Sequence, residues 1–170
     1  MFRVAGEADL VALLDLERAA NLVGLGHVFP PERYPFPDDA VLARWRIVLD
    51  DPDVEVLVND DPAAEGIIAY AAYDATTLRH LAVHPDHWGV GLATAAVEAA
   101  ESAIAQRGST SALLWCLEEN HRARRLYEHL GWRPTGRTQE AQWPPHPVET
   151  EYRKTLRRPT AERATMSPWT

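Results

Sequence analysis

Two stretches hold residues whose types and spacing can do chemistry. In LAVHPDHWGVGLATAAVEAA, which begins at Leu81, an apolar run ends, Pro85 forces a turn, and Gly89 and Gly91 bracket Val90 just before a helix opens at Leu92. Glycines there let backbone approach a ligand closely, and the free N–H groups of a helix start favour an anion, so the segment suits phosphate oxygens. The same glycines would equally ease a strand-to-helix turn that binds nothing. The spacing is not a dinucleotide fingerprint, whose third glycine would fall at Thr94, and no Lys-Ser or Lys-Thr follows as in a P-loop. The second stretch, LWCLEENHRARRLYEHLGW, begins at Leu114. Asn120 closes an apolar run and opens a helix, and Tyr127 lies two helical turns further along the same face. Taken singly, Asn120 is a favoured N-cap and Tyr127 a core aromatic.

Other arrangements lead nowhere. His80, His84 and His87 alternate around a strand end and a proline turn without a carboxylate in ligand-like spacing, so no metal is expected. Cys116 sits in an apolar run and reads as a small core residue. No Gly-x-Ser-x-Gly elbow is present. Arg122, Arg124 and Arg125 read as a solvated helix face.

The elements that must position these residues follow from periodicity and punctuation. Phe2–Ala5 is a short strand. Gly6, with Asp9 behind it, opens a helix whose apolar face begins with Leu10, Leu13 and Leu14. A second helix covers Asp39–Leu49. Strands are expected at Val54–Val58, Ile67–Tyr73 and Leu78–Val83, then a helix at Leu92–Gln106 stopped by Gly108. Ala112–Leu117 is a nearly continuous apolar run and hence a buried strand. A helix at His121–Leu130 ends at Gly131, with Trp132 placed for a Schellman close, and Val148–Thr155 is the last strand. Prolines 30, 31, 35 and 37 mark one aromatic loop; prolines 144, 145 and 147 mark another. The order β-α-α-β-β-β-α-β-α-β describes a single α/β (α+β) domain over residues 1–158, with a tail at 159–170.

Composition narrows the partners. The 170 residues are 46% hydrophobic, enough for a core without staples. Seventeen Lys and Arg stand against 25 Asp and Glu, a net charge of −8, which argues against nucleic acid or an anionic membrane surface as partner. The single cysteine excludes an intrachain disulfide and a cysteine-based zinc site. No apolar stretch approaches the roughly 20 residues that span a bilayer, and the start, MFRVAGEADL, has no signal-peptide core, so a cytoplasmic location is expected.

Taken together, strand–turn–Gly-x-Gly–helix followed by strand and Asn-x-x-Ala-x-x-Leu-Tyr-x-x-Leu-Gly-Trp resembles the GCN5-related N-acetyltransferase (GNAT) superfamily, over most of the chain. The family's coenzyme motif, Gln/Arg-x-x-Gly-x-Gly/Ala, corresponds to Trp88-Gly89-Val90-Gly91-Leu92-Ala93, with Trp88 in place of the usual Arg or Gln. The second motif fits at Asn120, Ala123, Leu126 and Tyr127.

The resemblance implies a mixed, mostly antiparallel central sheet flanked by helices and splayed between strands 78–83 and 112–117. It implies acetyl-CoA as co-substrate, without a metal, and transfer of its acetyl group to an amine by direct attack in a ternary complex. Backbone groups of Leu81 and Val83 would pair with the pantetheine arm. An N–H near Leu81 or Ala82 would stabilise the oxyanion, an effect of about 3–4 kcal/mol. Asn120 would order the arm, Tyr127 would protonate the departing thiolate, and one of the three arginines would contact the 3′-phosphate. The glutamates that serve some members as general base are missing, with Thr77 and Trp115 at the corresponding positions; His80, with an ordinary pKa of about 6.5, is the candidate here. Glu118, His27, Glu32 or a water chain are the other possibilities. The two aromatic loops would wall the acceptor side. Nearby acids (Glu32, Asp38, Asp39, Glu140, Glu149) would suit a cationic acceptor, a small-molecule amine or a peptide N-terminus. The protein would be a monomer or homodimer. The competing reading is a non-catalytic acyl-CoA-binding module.

Overall fold

Alternation in one strand organises the molecule. In the computed structural model, which describes residues 1–157, Ile67–Tyr73 is buried along its whole length. Tyr70 and Ala72 belong to one core, and Ala71 and Tyr73 to the other. Successive strand side chains point to opposite faces, so a central strand carrying IIAYAAY serves two layers of helices at once. The expected tail, 159–170, lies outside the described residues.

The elements run β1 (Phe2–Val4), α1 (Leu10–Gly24), α2 (Asp38–Asp50), β2 (Glu55–Asp60), β3 (Ile67–Tyr73), β4 (Leu78–Val83), α3 (Leu92–Gln106), β5 (Ser111–Leu117), α4 (His121–His129), β6 (Arg133–Glu140) and β7 (Val148–Thr155). Short 3-10 turns cover Glu7–Asp9 and Pro85–His87. The strands form two antiparallel ladders, β1-β2-β3-β4 and β5-β7-β6. The ladders touch through one parallel bridge, Thr77 to Leu113, where the Leu113 N–H donates to the Thr76 carbonyl at 2.9 Å. Beyond that bridge β4 and β5 are unpaired, which is the expected splay. Helices α1 and α2 pack on one face through Leu13, Val41 and the fully buried Trp45. Helix α3 covers the other face with Ala96, Val97, Ala100 and Ile104.

β6 was not expected from the sequence. Its residues, RPTGRTQE, are exposed throughout, so no apolar alternation marks it, and its ladder to β7 shifts register between Pro134 and Thr138. It forms because β7 offers an edge to pair with.

Helix α4 closes as its sequence foretells. Gly131 has φ +89°, its N–H donates to the Glu128 carbonyl at 3.1 Å, and the Trp132 N–H donates to the Tyr127 carbonyl at 2.9 Å. That is a Schellman pair, and it needs a residue at ease in the left-handed region. The close drives Trp132 into the core beside Tyr127 and Tyr152, with ring centroids of Tyr127 and Trp132 6.1 Å apart. The Trp132 indole donates to Glu101 at 2.8 Å, and the chain's single lysine, Lys154, holds the same carboxylate at 2.7 Å.

Trp132→Ala is therefore expected to lower unfolding stability by about 3–5 kcal/mol. Gly131→Ala should cost about 1–2 kcal/mol through the left-handed backbone alone. Urea unfolding measures both, and a Trp132→Ala loss below about 1 kcal/mol would show that the close does not anchor the core.

Candidate active site

Where β4 and β5 part, a cleft of about 590 Å³ opens. Its wall includes His80, Leu81, Ala82 and Val83 of β4, and Trp88, Gly89, Gly91, Leu92 and Ala93 of the turn and helix start. Asn120, Ala123 and Leu126 of α4 complete the opposite side. The structure thus brings together the two stretches singled out from the sequence. Two expected residues are not in the wall. Val90 turns outward and is 74% exposed, so only its backbone stays near the turn. Tyr127 is buried beneath the wall in the core.

One end of the cleft is built for an anion. Gly89 and Gly91 have φ of +83° and +84°, and open space surrounds any added Cβ, so backbone conformation rather than crowding demands glycine. Gly91 caps α3 without a side-chain hydrogen bond, leaving the first amides of the helix open beside Leu92, Ala93 and Thr94. Arg122 and Arg125 line the same end, a local positive region in a chain of net charge −8. Arg124 does not join them: its guanidinium donates to the Tyr152 hydroxyl and the Glu118 carbonyl, both at 3.1 Å.

Trp88, which stands where the resemblance leads one to look for Arg or Gln, acts as a brace. Its indole N–H donates to the Val83 carbonyl at 2.7 Å, its ring lies against Gly24, and the Arg122 guanidinium stacks on it at 4.0 Å. It couples the ends of α1, β4 and α4. The His84 N–H donates to Ile68 at 2.8 Å, so by the alternation of an antiparallel ladder Leu81 and Val83 turn their backbone groups away from β3 into the cleft. Trp88 occupies the Val83 carbonyl, leaving the Val83 N–H and both groups of Leu81 as the free strand edge. The Asn120 side-chain oxygen is also engaged, accepting the Ala123 N–H at 3.2 Å as the N-cap of α4.

At the other end the cleft reaches α1. The stripe begun by Leu10, Leu13 and Leu14 continues on the same face as Glu17, Asn21 and Gly24. Glu17 and Asn21 line both the cleft and a second cavity of about 530 Å³ beneath the two proline-rich loops. Sequence reasoning missed Glu17 and Asn21. Their signal was available, since polar residues prolonging an apolar helical stripe face the interior. Glu17 Oε2 accepts the Trp45 indole N–H at 2.7 Å and pairs with Arg44.

The electrostatics alter the part expected of His80 and agree with those expected of Tyr127 and Cys116. His80 packs against Trp45, ring centroids 5.9 Å apart, and desolvation together with Arg44 and Arg79 brings its imidazole down to about 3. An ordinary histidine pKa, the ground for proposing it as base, is therefore absent. Burial raises the Tyr127 phenol far above its usual range, with Cys116 adding to the effect, so the hydroxyl keeps its proton. Burial likewise pushes the Cys116 thiol up to about 12, consistent with an inert core residue.

The acids expected around the acceptor loops line neither cavity. Asp38 pairs with Arg18, and Glu149 accepts from Gln139 at 2.6 Å. Among the described residues no cluster of three potential metal ligands occurs, and no helix is long and apolar enough to cross a membrane.

Open helix-start amides thus lie beside a splayed strand edge. Residues 14–132 match the acetyltransferase (GNAT) family, and the chain belongs to it. No curated protein matches the sequence. Among solved structures, a GCN5-related N-acetyltransferase from Rhodopseudomonas palustris superposes with a TM-score of 0.73 at 16% identity, covering 92% of this chain and 95% of that one. The ribosomal-protein-S18-alanine N-acetyltransferase of Escherichia coli gives 0.69 at 17% identity, covering 95% and 97%. Spermidine N-acetyltransferase of Vibrio cholerae, solved with CoA and spermine, gives 0.67 at 16% identity, covering 93% and 96%. At these identities the likeness establishes the fold.

A depressed folded-state pKa at His80 means that only the unfolded chain takes up this proton between about pH 6.5 and pH 3. Its contribution to stability is complete above pH 6.5 and shrinks as the pH falls through that window. His80→Gln should flatten the corresponding part of the stability curve. NMR titration should find the imidazole neutral from pH 8 to pH 5; a midpoint near pH 6.5 would refute the buried environment.

Proposed function

We propose that this protein is an N-acetyltransferase that moves the acetyl group of acetyl-CoA onto a primary amine by direct attack. The observation that carries the reading is the continuity of one path: an open helix-start anion site, a free strand edge and a second cavity, joined at Glu17 and Asn21. Bound acetyl-CoA supplies the activated thioester. The open amides of α3 would hold its pyrophosphate, and Arg122 or Arg125 its 3′-phosphate. The free edge of β4 at Leu81 and Val83 would hold the pantetheine arm as an added strand, with an N–H near Leu81 or Ala82 facing the thioester carbonyl. The walls at Leu92, Ala93, Ala123, Leu126 and Asn120 would fix its course.

In the transfer the amine nitrogen bonds to the acetyl carbon, the carbon–sulfur bond breaks, the ammonium proton passes to a water chain and the thiolate gains one. Tyr127, kept protonated by burial, is the proposed proton donor to sulfur. Its place beneath the wall rather than in it favours a second reading, an acyl-CoA-binding module without turnover. Thiol release from acetyl-CoA with a panel of amines separates the two.

Ala93→Glu puts a carboxylate at the helix start, where it suits the helix but repels phosphate. The variant should fold normally and bind acetyl-CoA at least tenfold more weakly by calorimetry. Unchanged affinity would remove the proposed site.

Tyr127→Phe should change stability by no more than about 1 kcal/mol. It should lower kcat about 10²–10⁴-fold, with acetyl-CoA affinity unaltered. Turnover retained with stability lost would make Tyr127 a core residue only.

A further inference from the structure

We infer that the second cavity selects, as acceptor for the acetyl transfer proposed above and resting on that reading, a small primary amine with an apolar or aromatic body and a carboxylate.

Size and lining set the body. About 530 Å³ falls within the range of small-molecule sites. Phe29, Tyr34, Phe36 and Trp143 provide most of its flat apolar wall. Such a surface gains by covering apolar area and by offset stacking.

Charge sets the ends. Only Glu17 and Arg33 bring charge to this lining. Glu17 sits at the junction with the cleft, where the reacting nitrogen must arrive. Trp45 and Arg44 both engage its Oε2, and the Tyr70 hydroxyl adjoins the same carboxylate, so the group is held at the junction of the two cavities, where its negative charge attracts an ammonium. Arg33 stands on the loop side, its guanidinium against the Tyr34 ring at 5.6 Å, and it forms no ion pair among the described residues. A planar cation held by stacking presents a fork that matches a carboxylate. Ammonium toward Glu17 and carboxylate toward Arg33, separated by an apolar wall, is the pattern of a zwitterion whose two charged groups lie at opposite ends of its apolar body, as in an aminomethyl-substituted benzoate. A polyamine brings several ammonium groups to one carboxylate and meets Arg33 with repulsion.

The test compares 4-(aminomethyl)benzoate, 4-(aminomethyl)benzamide, benzylamine and spermidine with the wild type and Arg33→Gln. Transfer is read as thiol release, and binding by calorimetry on CoA-loaded protein. Arg33 is exposed, so its replacement should leave folding and acetyl-CoA affinity intact. The wild type should favour the benzoate over its amide by about tenfold or more in kcat/KM and in affinity. Arg33→Gln should collapse that ratio toward one by weakening the acid alone. Taking the ratio between the two proteins cancels the different amine pKa values of acid and amide. Equal or better use of the amide or of spermidine, or a ratio unmoved in Arg33→Gln, overturns the inference and leaves acetyl transfer standing. Binding of the benzoate without any transfer overturns the transferase reading instead. Failure of all four amines to bind overturns the acceptor class.

Discussion

The free edge of β4 is the constraint around which the site is arranged. A strand held on one side by β3 and on the other by only the Thr77–Leu113 bridge must satisfy its remaining N–H and C=O groups in another way. Continuing the β4–β5 ladder would satisfy them and close the cleft. The fold instead lets the strands part and satisfies single groups at the rim with side chains: Trp88 takes the Val83 carbonyl, and across the cleft Asn120 accepts the Ala123 N–H. What stays free is the Leu81 edge and the start of α3. Unpaired backbone of this kind is tolerated where water or a ligand reaches it, so the cleft is an opening that the sheet maintains.

Charge divides that opening into regions with different tasks. The chain is acidic, yet its helix-start end carries two arginines and an uncapped helix dipole, which favours anions there and few other places. The opposite end reaches Glu17, set among Trp45, Arg44 and Tyr70. Burial by the same aromatic layer depresses His80. One packing decision, Trp45 driven into the core between α2 and the sheet, therefore orients Glu17 and withdraws His80 from titration near neutrality.

Much of this was legible in the sequence. Gly89 and Gly91 before an apolar helix, and Asn120 seven residues ahead of Tyr127, depend on backbone conformation and helical phase, both local properties. Gly131 and Trp132 foretold the Schellman close for the same reason. The apolar run of Ala112–Leu117 marked a buried strand, of which the fold buries alternate residues, whereas the full burial of β3 came only with the structure.

The rest was decided by partners distant in the chain. β6 exists because β7 presents an edge, and its own polar residues contain no record of that. His80 looks like an ordinary histidine until Trp45, Arg44 and Arg79 surround it. The acids of the acceptor loops suited a pocket for a cation, but the folded loops line the second cavity with Phe29, Tyr34, Phe36 and Arg33 instead. Local phase and backbone freedom are written residue by residue, so the sequence by itself determined most of the elements and the glycine turn that opens α3. Desolvation, strand pairing and the facing of loops are sums over neighbours that only the tertiary structure assembles, and these decided which charges meet in the site.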